Sequence, residues 1–113
     1  MNLQTAIGQR RSERLRLNVP LFVTGTSIDQ RTFKEETFTL LVNAHGTLLM
    51  LETKVAVGQK VVLMNQKNWD ECEGRVTFIG PPYAGVTKVG IEFLRPRPDF
   101  WSVGCPPQDW NQY

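Results

Sequence analysis

Apolar and polar side chains alternate with a period of two along most of the chain, which is the pattern of half-buried β-strands. The alternation is clearest over residues 17–23 and 87–93, and it resumes over residues 47–51 after a turn. Residues 59–65 carry apolar side chains on both faces, which favours a strand covered on both sides. No segment shows a long helical period, so the pattern predicts an all-β chain of about six short strands.

In two of these strands the pattern assigns particular side chains to one face. The strand over residues 32–43 is expected to place on one face Phe38, Leu40 and Val42. The strand that begins near residue 71 is expected to bury Cys72, Val76 and Phe78.

About six short strands predict a small six-stranded antiparallel β-barrel, because closing the sheet removes the exposed edges that open sheets leave. The length of 113 residues fits a single domain. We therefore predict a flexible basic arm over residues 1–16, the barrel over residues 17–96 and an aromatic, proline-rich tail over residues 97–113 that packs on the barrel. A single helical turn is expected at residues 106–110.

The aromatic residues of the tail allow two interpretations. They are Phe100, Trp101, Trp110 and Tyr113. Either they cover the open end of the barrel, or they form a patch for a protein partner.

Positive charge is concentrated at the start of the chain. The net charge of the whole chain is only +2, but residues 1–16 carry four arginines against one glutamate, a net charge of +3. The remaining residues carry nine basic and ten acidic side chains, a net charge of −1. Such an arm suits a phosphate-bearing partner, and a solvated terminus without a ligand is its alternative interpretation.

Several classes of protein do not fit the composition. Hydrophobic residues make up 41% and charged residues 21%, as in globular domains, and no apolar run approaches the length of about 18 residues that a membrane span needs. Two cysteines and one histidine give no zinc pattern, and there is no glycine-rich phosphate loop. We expect a non-catalytic, cytoplasmic protein with reduced cysteines and no metal, cofactor or membrane insertion.

Three segments have a more specific pattern. Residues 9–15 carry two arginines four positions apart, residues 41–46 end in a glycine turn, and residues 89–93 read Val-Gly-Ile-Glu-Phe. Together they resemble a PilZ domain, the bacterial family associated with binding of the second messenger cyclic di-GMP. The resemblance extends over about residues 9–94 and implies the same six-stranded barrel.

The resemblance also implies a set of ligand-binding residues. Arg10 and Arg14 match the RxxxR motif of the family, and the D/N-x-S-x-x-G motif falls on residues 41–46. Gly46 is retained there, whereas Leu41 stands in place of Asp or Asn and Asn43 in place of Ser. The ligand-binding residues expected from the resemblance are Arg10, Arg11, Arg14, Asn43 and Gly46.

The chemistry of these residues explains what each contributes. Arginine pairs bidentately with phosphate and with guanine, and its plane stacks on aromatic rings. A carboxylate or amide at position 41 would accept from the N–H edge of guanine, which Leu41 cannot do, while Asn43 can both donate and accept. Leu41 would otherwise be a core residue. Gly46 is expected to supply a positive φ or to let a backbone or base approach closely.

The sequence leaves three functions open. The first is a signalling receptor for cyclic di-GMP that passes its signal to a separate effector protein. The second is a degenerate PilZ-like domain that binds no nucleotide and acts as a protein–protein adaptor, as Leu41 and the aromatic tail would allow. The third, binding of nucleic acid, is the least favoured, because the barrel has a net negative charge and its aromatic residues do not interleave with the basic cluster.

Overall fold

The computed structural model describes residues 12–111 and contains one closed antiparallel β-barrel. The strands are β1 (Pro20–Thr26), β2 (Thr32–Asn43), β3 (Gly46–Leu51), β4 (Lys60–Asn65), β5 (Glu71–Ile79) and β6 (Thr87–Phe93). They close in the order β1-β2-β3-β6-β5-β4. The predicted all-β, six-stranded barrel is therefore confirmed. A 3-10 turn, Gln108–Asn111, follows in the tail, where a helical turn was predicted.

The inward-facing apolar side chains of the strands fill the barrel interior. The side chains that are almost completely buried come from all six strands, and they include Leu21, Val42, Leu49, Leu63, Val76 and Val89. These branched side chains suit a small barrel, whose interior is a packed core rather than a channel. Among the described residues, no helix is long and apolar enough to cross a membrane.

The prediction that Phe38, Leu40 and Val42 share one face of β2 was wrong, because a β-bulge interrupts the strand. Thr39 pairs with Leu49, but the next paired residue of β2 is Leu41, so Leu40 is the extra residue. Before the bulge Phe38 points outward and is 59% exposed, while Thr39 is fully buried. A bulge adds one residue to one strand, so the alternation changes phase across it.

The predicted inner face of β5 was also partly wrong, because this strand contains a second bulge. Val76 pairs with Ile91 and Phe78 pairs with Gly90, which leaves Thr77 as the extra residue. Val76 is fully buried, but Phe78 points outward with 51% of its surface exposed. The expected burial of Phe78 was therefore wrong for the same physical reason as in β2.

Within the described residues, the aromatic side chains of the tail pack on the barrel. Phe100, Trp101 and Trp110 are buried, and the Phe100 ring lies 5.4 Å from the Phe93 ring of β6, centroid to centroid. The indole N–H of Trp101 donates to the carbonyl oxygen of Asn43 at 2.9 Å. These contacts agree with the interpretation in which the tail covers the barrel. Tyr113 lies outside the described residues.

Candidate functional site

A groove of about 550 Å³ crosses the outer face of strands β2, β3, β6 and β5. Its floor contains two glycines, Gly46 of β3 and Gly90 of β6, which contribute backbone but no side chain. Leu48 of β3 and Phe78 of β5 both pair with Gly90, one from each side. The groove therefore exists because a position without a side chain lies between two large apolar ones.

The width of this gap follows from sheet geometry. Adjacent strands lie about 4.8 Å apart, so the backbones at Leu48 and Phe78 are separated by about 10 Å across Gly90. Side chains stand roughly perpendicular to a sheet, so Leu48 and Phe78 form walls on the two sides of Gly90. A Cβ atom at Gly90 would lie 3.0 Å from the Cβ of Phe78, so even alanine would narrow the gap.

Gly46 has a strictly steric function. A Cβ atom at this position would lie 2.0 Å from the carbonyl oxygen of Ile91, which no real side chain tolerates. The φ of Gly46 is outside the left-handed region, so the expectation of a positive φ was wrong. The alternative expectation, a close approach of another backbone, is confirmed by the short distance to Ile91. The glycine therefore allows β3 and β6 to pack closely at one end of the groove.

Asn43 organises the turn between β2 and β3. Its Oδ1 accepts hydrogen bonds from the backbone N–H groups of His45 at 2.9 Å and Gly46 at 3.0 Å. Its Nδ2 donates to the carbonyl oxygen of Ser12 at 3.3 Å. Asn43 lines the groove, but these bonds already engage both ends of its amide and connect the turn to the arm.

The described part of the predicted arm, residues 12–16, contacts the barrel. Leu15 and Val42 exchange two backbone hydrogen bonds, at 2.8 and 2.9 Å. The hydroxyl of Ser12, which is buried, accepts from the N–H of Ala44 at 3.2 Å. These hydrogen bonds, which join residues far apart in sequence, fix the backbone on either side of Glu13 and Arg14.

Arg14 is the one arginine of the expected ligand set that lies within the described residues. It is exposed, and its side chain lines the groove together with Asn43 and Gly46. The structure thus brings together three of the five expected residues. The other two, Arg10 and Arg11, lie outside the described residues.

Leu41 faces the groove and not the core. It is half-buried, it pairs with Leu48 across β2 and β3, and both side chains line the same wall. The alternative interpretation of Leu41 as a core residue was therefore wrong. The wall that it forms is apolar, so it can contact the face of a ring but cannot accept a hydrogen bond.

Phe78 and Glu92 are among the groove residues that sequence reasoning missed. Phe78 was assigned to the core because the bulge at Thr77 has no strong sequence signal. Glu92 was overlooked because an acidic residue on the polar face of a strand is ordinary. The available signal was Gly90, since a glycine inside a well-alternating strand often marks a close approach by a ligand or another backbone.

The family models and the curated proteins provide no further identification. A scan against models of known protein families finds no match, and no curated protein is significantly similar to the chain. Within residues 12–111, no group of three or more His, Cys, Asp or Glu side chains is placed to hold a metal ion. The function is therefore argued from the groove.

A polar cluster near the start of the tail accounts for the pKa shifts of the described residues. Arg97 pairs with Asp70 at 2.6 Å and with Asp99 at 3.1 Å. Its hydrogen bond holds the pKa of the Asp99 carboxyl below its ordinary value, while burial raises the pKa of the nearby Cys72 thiol. None of these residues lines the groove, so the cluster serves to attach the tail to the barrel.

Proposed function

We propose that the protein is a non-catalytic, PilZ-like receptor domain that binds cyclic di-GMP in the groove between Arg14 and Phe78. The observation that carries this proposal is the position of Arg14, which the backbone pairing of Leu15 with Val42 holds at a groove with a glycine floor. A cation beside apolar groove walls suits a ligand that is both anionic and planar.

The groove offers each kind of contact that the ligand needs. Arg14 carries a guanidinium that pairs bidentately with a phosphate or stacks on a base. Leu41, Leu48 and Phe78 provide apolar walls on either side of the floor. An aromatic ring beside a planar base gains about 1–3 kcal/mol per base by stacking.

The rest of the arm completes the proposed site. In an extended segment, Arg10 and Arg14 would lie about 13 Å apart on the same face, which is a reach that allows contacts with both halves of a dinucleotide. Arg11 would add a phosphate contact from the other face. Ordering of such an arm by a dianion is a recognised type of switch.

The proposal has consequences for the cell biology of the protein. We propose that it acts in the cytoplasm of a bacterium and passes the signal to a separate effector protein. The ligand changes what the arm covers, and the effector detects that change. No reaction is catalysed, and Asn43 and Gly46 contribute mainly by shaping the turn beneath the ligand.

A second candidate function is a protein adaptor that binds no nucleotide. The observation that favours it is a set of exposed apolar side chains near the β5–β6 loop, where Phe78 is 51%, Ile79 36% and Tyr83 80% exposed. Exposed apolar surface often marks a protein interface. Saturable binding of cyclic di-GMP would count against the adaptor, because its defining property is the lack of a nucleotide.

Calorimetric titration of the full chain with cyclic di-GMP tests the proposal, with GTP as the control ligand. We expect saturable binding that weakens about ten- to a hundredfold in Arg14→Ala, because a charged hydrogen bond contributes about 1.5–3 kcal/mol. Arg16→Ala is the matched control, since Arg16 is also exposed but does not line the groove. No heat with the natural chain, or equal losses in both variants, would refute the groove as the site.

A further inference from the structure

Glu92 places a carboxylate in the same groove, on the strand opposite the turn. It belongs to the outer face of β6, is half-buried and pairs with Gly46 of β3. Gly46 has no side chain, so nothing from that residue stands between Glu92 and the turn that begins at Asn43. The groove therefore contains a cation at Arg14 and an anion at Glu92.

The two charges divide the groove into parts with different preferences. A phosphate is attracted to Arg14 and repelled by the carboxylate of Glu92, so it favours the end of the groove near Arg14. A base edge made of N–H donors has the opposite preference. A nucleotide that binds here is therefore oriented, with its phosphate towards Arg14 and its donor edge towards Glu92.

Guanine is the base that presents such an edge. Its N1–H and its 2-amino group lie side by side, and the two oxygens of a carboxylate accept from both. Adenine presents an acceptor, N1, beside a C–H group, so a carboxylate at this position repels its edge. A site with a fixed hydrogen-bonding group rejects the ligand that leaves the group unpaired far more strongly than a purely apolar pocket does.

We propose that Glu92 is the residue that selects guanine, and this inference rests on the proposed binding of a cyclic dinucleotide in the groove. The base lies between Leu48 and Phe78, and its N1–H and 2-amino groups donate to Glu92. A carboxylate has about four acceptor sites, and this pairing uses two of them. Leu41, in the strand across the groove, then contributes only an apolar contact.

Titration of three ligands into two variants tests the assignment. The ligands are cyclic di-GMP, cyclic di-AMP and cyclic di-IMP, whose base lacks the 2-amino group. We expect Glu92→Gln to weaken cyclic di-GMP about ten- to a hundredfold and to leave cyclic di-AMP unchanged or tighter, because charged hydrogen bonds are the stronger ones. The control is Glu73→Gln, since Glu73 is exposed on the outer face of β5 and does not line the groove.

The natural chain gives a readout that needs no variant. Cyclic di-IMP should bind about tenfold more weakly than cyclic di-GMP, because it has lost one donor to a charged acceptor. Equal binding of the two, or an unchanged guanine preference in a folded Glu92→Gln variant, would overturn the role of Glu92 while leaving the receptor proposal intact. Absence of binding by any cyclic dinucleotide would overturn both.

Discussion

The indole N–H of Trp110 donates a 2.6 Å hydrogen bond to the backbone carbonyl oxygen of Glu13, across 97 positions of the sequence. The backbone N–H of Glu13 donates to a carboxylate oxygen of Asp109 at 2.8 Å. The backbone N–H and the carbonyl oxygen of Glu13 are therefore both hydrogen-bonded to side chains of the 3-10 turn in the tail. Because Glu13 directly precedes Arg14, the tail helps to fix the backbone from which the groove arginine projects.

Replacement of Trp110 by phenylalanine tests this relationship. Trp110 is fully buried, so Trp110→Phe removes the donor to Glu13 and leaves space that the smaller ring does not fill. We expect the free energy of unfolding to fall by about 1–3 kcal/mol, measured by urea denaturation. Trp69→Phe is the matched control, because Trp69 is 65% exposed and should change stability by no more than about 0.5 kcal/mol. Equal unfolding midpoints in the two variants would contradict the account.

A pair of glycine variants tests the packing at the end of the groove. Gly46→Ala would place a Cβ atom 2.0 Å from the Ile91 carbonyl oxygen, so β3 and β6 must separate. We expect a loss of about 3 kcal/mol or more in the free energy of unfolding. Gly104→Ala meets no atom within 4 Å and should be close to neutral. A folded Gly46→Ala variant with natural stability would show that the close approach is not required.

Thr39 is a buried polar residue whose hydroxyl is bonded twice. The hydroxyl accepts from the N–H of Val19 at 2.8 Å and donates to the carbonyl oxygen of Leu17 at 2.6 Å. Thr39→Val leaves both backbone groups unpaired, so we expect a loss of about 2 kcal/mol or more by thermal or urea denaturation. Thr37→Val removes a single bond, to Met50, from a half-buried site and should cost about 1 kcal/mol. A larger loss of stability in Thr37→Val than in Thr39→Val would contradict this prediction.

Acid should weaken the contribution of Asp99 to stability. The Arg97 hydrogen bond lowers the pKa of Asp99 in the folded protein, so the folded state favours the ionised carboxylate more than the unfolded state does. This stabilisation is present above the unfolded pKa, near 4, and is lost as the pH falls through the folded value. The side chain of Asp99 is 73% exposed, so solvent screening limits the effect to less than about 1 kcal/mol. We expect the free energy of unfolding of the natural chain to exceed that of Asp99→Asn by more at pH 7 than at pH 3. A difference that does not depend on pH would contradict this prediction.

The strand pattern predicted the fold because alternation is a direct consequence of one buried face in each strand. It failed at Leu40 and Thr77, where a bulge adds one residue and reverses the phase. Bulges depend on how two strands pair, and that pairing is tertiary information. The sequence therefore predicted the barrel and its number of strands but placed Phe38 and Phe78 on the wrong face.

The site was partly predictable for a related reason. The arginine of the arm and the glycine turn are local features, so the sequence identified Arg14 and Gly46. The opposite wall of the groove comes from Phe78 and Glu92, which are distant from the turn in sequence and reach it only through the pairing of β6 with β3 and β5. No local sequence pattern indicates that Phe78 and Glu92 lie close to the turn.

The central claim, that cyclic di-GMP binds in the groove, is tested most directly by titration of the ¹⁵N-labelled chain followed by amide NMR. Gly46 and Gly90 line the groove, whereas Gly25 and Gly58 lie in β1 and in the turn before β4. We predict saturable, dose-dependent shifts of the Gly46 and Gly90 amides, with those of Gly25 and Gly58 unchanged. An unperturbed spectrum at millimolar ligand, or shifts confined to residues outside the groove, would contradict the proposed function.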